Sequence, residues 1–270
     1  MNLGIKLALS TALKTGGSIS PPAWTPSNLF SNEEQGVLYM PWVSGTVWQN
    51  TAGTVPATDG DPVGRVNDLS GNGHNALQGT GSARPTLLVD EDIHSLVVDG
   101  VDDFLQVNIP ANLTPNWTMI TVAGRGSNTA VNTHTRLRTG SNNHIVLRTQ
   151  TQERAQALSM GSSESIPQIT FGLSDVGAFP ENGYVISTLI VPEEDEPTIH
   201  RINGVQGSAA NSNWPADTDL GSPIEMLLPV SPVAFSGGGY RALLVIDRAL
   251  TPEEITQVED YFAQYTGIIL

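Results

Sequence analysis

Turn-forming residues cut this 270-residue chain so finely that only short strands can form over most of its length. Strand-like runs at 36–43, 118–124, 144–150, 166–173, 184–192, 197–207, 223–230 and 240–247 are mostly flanked by or end in Gly, Pro, Asn, Asp or Ser. Twenty-seven glycines and 18 prolines suffice to stop each run before it reaches helical length. The stretch 51–76 is almost all turn. It holds Asp59-Gly60-Asp61-Pro62 and Gly71-Asn72-Gly73, and Gly and Asn tolerate the positive φ of tight turns. Asn203-Gly204, set between Ile202 and Val205, is the pair a type I′ hairpin prefers. No internal repeat or low-complexity run interrupts the pattern.

One helix is marked. Thr251-Pro252-Glu253-Glu254 forms a capping box with proline at the first helical position. Ile255, Val258, Phe262 and Tyr265 follow at helical spacing, and Gly267 supplies the stop. The expected fold class is all-β: a β-sandwich with one C-terminal amphipathic helix on an edge or a face.

Residues 1–35 stand apart from this pattern. Leu3, Leu7, Leu9 and Leu13 lie near helical spacing, and Gly16-Gly17 and Pro21-Pro22 then break any helix. We read 1–35 as an anchoring arm before a single domain at 36–270, its apolar groups covered by a partner chain. Lys14 interrupts the apolar stretch and no A-x-A site follows, so the arm does not read as an export signal. No apolar run is long enough to span a bilayer.

Charge narrows the function. The net charge is −15, and Lys6 and Lys14 are the only lysines. Such a surface repels phosphate, which argues against nucleic acid as a partner. The absence of cysteine excludes disulfides, thiolate metal sites and cysteine nucleophiles.

The acidic stretch "LVVDGVDDFLQV" (96–107) reads in two ways. Asp99, Asp102 and Asp103 could gather round a Ca²⁺ ion with backbone carbonyls. Alternatively Asp99-Gly100 makes a hairpin turn, the other aspartates cap backbone N–H groups, and Leu96, Val98, Phe104 and Val107 enter the core. The second reading is the commoner chemistry.

A retaining glycosidase needs two carboxylates about 5–5.5 Å apart in one cleft. Glu193, Glu194, Asp195 and Glu196 are consecutive and alternate faces, and "VDEDIH" (89–94) also lacks the spacing. There is no G-x-S-x-G elbow. His74, His94, His134, His144 and His200 are scattered. "HTRLRTGSNNH" (134–144) offers either a basic, Asn-rich loop that contacts a glycan or a neighbouring subunit, or simply two exposed strand ends, and the second is the commoner arrangement. "SGGGY" (236–240) lacks the lysine and helix of a phosphate loop. Trp214, with Asn211 and Asn213 beside it, offers either a glycan-stacking group or a loop tryptophan wedged on the core edge.

Four motifs occur in a telling order: "DLSGNGHNA" (68–76), "LVVDGVDDFLQV" (96–107), "HRINGVQ" (200–206) and "LLVIDRALTPEEI" (243–255). Over residues 36–270 this order resembles laminin-G-like, concanavalin A-like jelly rolls. "LFSNEEQGVLY" (29–39) and "AGTVPATDGDPVG" (52–64) bring the likeness closest to a subset found in bacteriophage and prophage virion proteins. Leu38, where an aromatic is common, and Asn67, where a bulky apolar residue is common, depart from that subset. The resemblance implies a concanavalin A-like sandwich, with Ca²⁺ bound in some relatives. It implies a non-enzymatic virion protein, either a tail or fibre component or a capsid-surface decoration. Such a protein would assemble in the host cytoplasm, hold other virion proteins through its arm, and form a homotrimer. A carbohydrate-binding module for a host glycan is the competing expectation, and a glycoside hydrolase the third.

Overall fold

Two antiparallel sheets lie face to face, and a helix covers the far side of one of them. The computed structural model describes residues 24–99, 101–109, 116–124, 132–139, 143–150, 154–160, 169–173, 183–193, 196, 198–207, 224–228 and 238–270. Within these, the strands are β1 (Gly36–Tyr39), β2 (Val47–Trp48), β3 (Arg65–Val66), β4 (Ala76–Leu77), β5 (Thr86–Asp90), β6 (Ile93–Val97), β7 (Leu105–Ile109), β8 (Trp117–Gly124) and β9 (Asn132–Thr139). They continue as β10 (Asn143–Gln150), β11 (Arg154–Met160), β12 (Ile169–Leu173), β13 (Tyr184–Val191), β14 (Ile199–Ile202), β15 (Val205–Gln206), β16 (Ile224–Leu228) and β17 (Gly239–Ile246). Helix α1 spans Pro252–Thr266.

The first sheet runs β15-β14-β13-β8-β17-β6-β5, and the second runs β12-β11-β10-β9-β16-β7-β4-β3-β2. Strand β17 is shared along one flank: Gly239 and Tyr240 pair with β6, and Leu243–Ile246 pair with β1. Gly36 makes that second pairing possible. Its φ is +142°, and a Cβ there would sit 2.0 Å from the Val245 carbonyl oxygen.

The core between the sheets takes Trp117, Met119, Leu243 and Val245 from the first and Leu105, Val107 and Ile109 from the second. A second core lies on the other face of the first sheet. There Ile120, Val122, Ile186, Ile190, Leu244 and Ile246 pack against Ile255, Val258 and Phe262 of α1. The helix therefore lies on a face, not an edge. Its ends are as expected: Thr251 Oγ1 accepts from Glu254 N–H at 3.2 Å, the Glu254 carboxylate accepts from Thr251 N–H at 2.9 Å, and Gly267 is left-handed at φ 71°. Arg248 donates twice to Glu254 at 2.8 Å and fixes the strand-to-helix turn. Glu259, fully buried, accepts from Thr188 at 2.7 Å and from Arg201 Nε and Nη2 at 3.1 and 2.8 Å, which pins α1 to β13 and β14. The β14–β15 hairpin turns at Asn203 (φ 47°) and Gly204 (φ 78°), as the Asn-Gly pair predicts.

Three expectations need correction or extension. The stretch 96–107 is not a hairpin. β6 belongs to the first sheet and β7 to the second, so 98–104 carries the chain between them. Local turn chemistry cannot announce this, because the flanking strands find distant partners: Val97 pairs with Thr86, and Leu105 with Leu228. The turn-rich stretch 51–76 also contributes the short strands β3 and β4 to the second sheet. Finally, Leu29 and Phe30, in a 3-10 turn over Pro26–Phe30, are buried in the helix-side core, and Trp24 meets Tyr261 edge-on at 6.3 Å. These apolar groups find cover in this chain itself. Residues 1–23 of the arm lie outside the described residues.

Candidate functional site

The outer face of the second sheet carries the groove of interest. Strand β7 alternates: Leu105, Val107 and Ile109 enter the core, which turns Gln106 and Asn108 outward. Beside it Ala76 points in and Leu77 out. The groove formed there encloses about 490 Å³ and is lined by His74, Asn75, Leu77, Gln78, Phe104, Gln106 and Asn108, among others.

Its rim is held by the "DLSGNGHNA" segment. Asp68 accepts from Leu38 N–H (2.9 Å), Ser70 N–H (2.9 Å), Ser70 Oγ–H (2.7 Å) and His74 N–H (3.0 Å). Asn72 donates to the Glu34 and Gly36 carbonyls, each at 3.1 Å. The Tyr39 hydroxyl donates to the His74 carbonyl. A loop tied this tightly to β1 presents His74 and Asn75 without a folding step on binding. The base is fixed too: Gln78, buried, donates to the Phe104 carbonyl at 3.1 Å and accepts from Thr80 N–H at 2.9 Å. The lining offers amides, an imidazole and apolar surface, and among the described residues it includes no carboxylate. Such a surface can exchange hydrogen bonds with hydroxyls, but it lacks the carboxylate pair that glycoside hydrolysis requires.

Asp99, Asp102 and Asp103 do come together: one carboxylate oxygen from each lies within 4.8 Å of the others. Asp103, buried, accepts from Asp99 N–H at 2.9 Å, and Asp99 accepts from Val101 N–H at 2.8 Å. Burial and the neighbouring Asp99 and Asp102 charges raise the Asp103 carboxyl above its usual range, against the lowering effect of the Asp99 N–H bond. The donors are hard oxygens, as Ca²⁺ prefers, but three carboxylates fall short of its six to eight ligands. Two of the three already serve the backbone of the crossover.

Among the described residues, a nucleophile–base pair is also absent in working form. His200 Nε2 lies 2.9 Å from Ser187 Oγ, yet both are buried. His200 Nδ1 has no hydrogen-bond partner, so no acid orients the ring. Burial lowers the imidazole to about 4.

Asn211, Asn213 and Trp214, the glycan-stacking candidates, lie outside the described residues. The basic segment 134–144 falls largely on β9 and β10. Of the other tryptophans, Trp42 stacks on Tyr265 (5.6 Å, 3°), Trp24 packs on Tyr261, and Trp117 is buried. Sequence reasoning missed Gln106 and Asn108, because polar residues at alternate strand positions look like any solvated face, and Gln78, because a glutamine buried just after a strand carries no local signal.

The sequence matches no family model and no curated protein. Solved structures do match in shape. The botulinum neurotoxin serotype D ligand-binding domain in complex with N-acetylneuraminic acid gives a TM-score of 0.55 at 10% identity, over 82% of this chain and 52% of that one. A structure of botulinum neurotoxin type C, whose cell entry depends on interaction with two ganglioside molecules, gives 0.55 at 12%, over 88% and 53%. Domain 4 of AbnA, an extracellular arabinanase of Geobacillus stearothermophilus, in complex with arabinotriose, gives 0.51 at 15%, over 84% and 98%. The chain spans about half the length of the neurotoxin structures it matches. At these identities the likeness bears on the fold alone: an all-β sandwich of two antiparallel sheets, here with one C-terminal helix.

Proposed function

We propose that this chain is a non-catalytic carbohydrate-binding sandwich that offers the outer face of its second sheet to a glycan. The observation that carries this reading is the groove over β4 and β7, rimmed by amides and an imidazole and lined, among the described residues, by no carboxylate. The named partners of the structural neighbours support it: a sialic acid, gangliosides and arabinotriose. Trp214, with Asn211 and Asn213, is a further glycan contact in this reading. A glycan array tests it. Wild type should give signal, and Gln106→Ala/Asn108→Ala should remove most of it while the melting temperature holds. A wild type silent across the array would sink the reading.

The motif order favours a second reading of where such a module works: on a bacteriophage particle, held by the arm as a homotrimer among other virion proteins. The supporting residues are those of 29–39, 52–64, 68–76 and 243–255. Several of them, Asp68, Asn72, Arg248 and Thr251 among them, are engaged in holding the fold, so they bear more directly on architecture than on location. Mass spectrometry of purified particles tests this reading, and deletion of residues 1–23 tests the arm: loss of oligomers with an intact sandwich is the expected result.

A further inference from the structure

A second hollow, of about 270 Å³, opens at one end of the sandwich. Val47 of β2 lines it from the second sheet, and Leu87 of β5 and His94 of β6 line it from the first. Val47 and Leu87 also belong to the core between the sheets, and Ala57, another lining residue, packs against that core. The apolar interior therefore reaches the surface here. Pro41 and Trp42, which follow β1, line the hollow as well.

The walls are fixed by the fold itself. Val43 N–H donates to the Met40 carbonyl at 3.0 Å, and the Thr46 hydroxyl donates to the Val43 carbonyl at 2.7 Å. Ala57 N–H donates to the Val47 carbonyl at 3.1 Å. Tyr265 stacks on Trp42 and Phe262 meets it edge-on, which holds the indole in place. One polar group is held as firmly. His94 Nδ1 lies 3.0 Å from the Pro41 carbonyl oxygen, which can only accept, so Nδ1 carries the proton. In the neutral ring Nε2 keeps its lone pair, and no donor among the described residues meets it. The Trp42 indole N–H is closed to solvent. The exposed Ser44 hydroxyl is the other polar side-chain group of the lining, which among the described residues includes no carboxylate, lysine or arginine.

We propose that this hollow is a binding site, separate from the groove, for an uncharged aromatic ring that carries one hydroxyl: a phenol. Size sets the first limit. An apolar cavity of about 150 Å³ takes benzene, so about 270 Å³ takes one substituted ring. The ring lies against Val47, Ala57 and Leu87, and its hydroxyl donates to His94 Nε2. A sugar would press several hydroxyls against this lining with one fixed acceptor to receive them, and each unpaired hydroxyl costs free energy. A ring bearing a carboxylate finds no cation in the lining, and the −15 charge of the protein opposes its approach. A free phenol and a tyrosine side chain offer the same chemistry, and the test separates the two sources. The site stands independently of the glycan-binding reading.

The test titrates the full chain with p-cresol, followed by calorimetry and two-dimensional NMR. The comparison probes are p-xylene, which lacks the hydroxyl, p-toluate, which is charged, and glucose, which is polyhydroxylated. p-Cresol should bind about three- to tenfold more tightly than p-xylene, the worth of one hydrogen bond, and p-toluate and glucose should show no binding at the same concentrations. His94→Leu should lower the affinity for p-cresol to that for p-xylene. Ala57→Leu, which fills the hollow and leaves His94 on Pro41, should abolish binding of both, and it keeps the test intact where His94→Leu fails to fold. N-acetyltyrosinamide separates the sources: binding as tight as that of p-cresol assigns the site to a tyrosine side chain, and binding of p-cresol alone assigns it to a free phenol. Either result supports the site. Equal affinities for p-cresol and p-xylene would overturn the proposal, as would tighter binding of glucose, which would make the hollow a second sugar site. So would p-cresol binding that survives Ala57→Leu, or no p-cresol binding at millimolar concentration.

Discussion

The outer faces of the two sheets have opposite fates. On the first sheet, Ile120, Val122, Ile186, Ile190, Leu244 and Ile246 lie under α1 and the Pro26–Phe30 turn. On the second, Leu77, Gln106 and Asn108 border an open groove. One helix can cover one face. Its placement makes the first sheet the buried middle layer and leaves the outer side of β4 and β7 uncovered by it. The pattern shows in the strands: β8, β13 and β17 are buried at almost every position, whereas β7 alternates. The proposed binding surface thus follows from the asymmetry of cover more than from any chemistry special to a loop.

The largest test removes the cover. Phe262 is fully buried and meets Trp42 edge-on at 6.0 Å. Phe262→Ala should destabilise the protein by about 3–5 kcal/mol through lost transfer energy and an unfilled cavity, read as a fall in the denaturant midpoint. A loss under about 1 kcal/mol, far below that range, would mean that the helix-side core contributes little, and the contrast between the faces would fail.

The next effect comes from the inner side of the first sheet. Burial holds His200 at about 4, below the roughly 6.5 of a free imidazole. As pH falls the unfolded chain takes up the proton first. Stability is therefore full above about pH 6.5 and declines down to about pH 4, with a loss of about 2 kcal/mol at pH 5. His200→Gln should flatten that limb. An unaltered acid limb in the variant would assign it to other groups.

Much of the architecture was legible because it is written in local chemistry. The capping box marked α1, Asn203-Gly204 marked its hairpin, and the runs at 118–124, 144–150, 184–192 and 240–247 marked β8, β10, β13 and β17, whereas β9 and β11 went unmarked. What stayed hidden depends on distant partners. Asp99-Gly100 looks like a hairpin turn, yet 98–104 is a crossover, because Val97 and Leu105 pair with strands outside that stretch. The groove was hidden for the same reason: Gln106 and Asn108 become neighbours of Leu77 and Gln78 only when β4 and β7 meet.

A smaller effect sharpens the contrast from the open side. Gln106→Ala/Asn108→Ala should change stability by no more than about 0.5 kcal/mol, as solvent-facing substitutions do, while reducing glycan binding. A large loss of stability would show that the second sheet's outer face is part of the scaffold after all.

The smallest effect lies where the chain passes between the sheets. Burial raises the Asp103 carboxyl above its usual range, with Asp99 and Asp102 adding to the shift. A raised folded-state value means that stability from the protonated form is present at low pH and lost as pH rises through it. At neutral pH the ionised group is therefore a small liability. Asp103→Asn keeps an acceptor for Asp99 N–H, which lies 2.9 Å from the carboxylate, and removes the like-charge repulsion. In metal-free buffer it should raise the denaturant midpoint slightly at neutral pH and leave it unchanged in acid. Chelator should shift the wild-type melting temperature little, because only ligand-dependent stability can be withdrawn. A Ca²⁺ site would reverse both signs: added Ca²⁺ would stabilise wild type, chelator would undo it, and Asp103→Asn would abolish the response. Those two opposed outcomes separate a crossover held by its own backbone from one held by an ion.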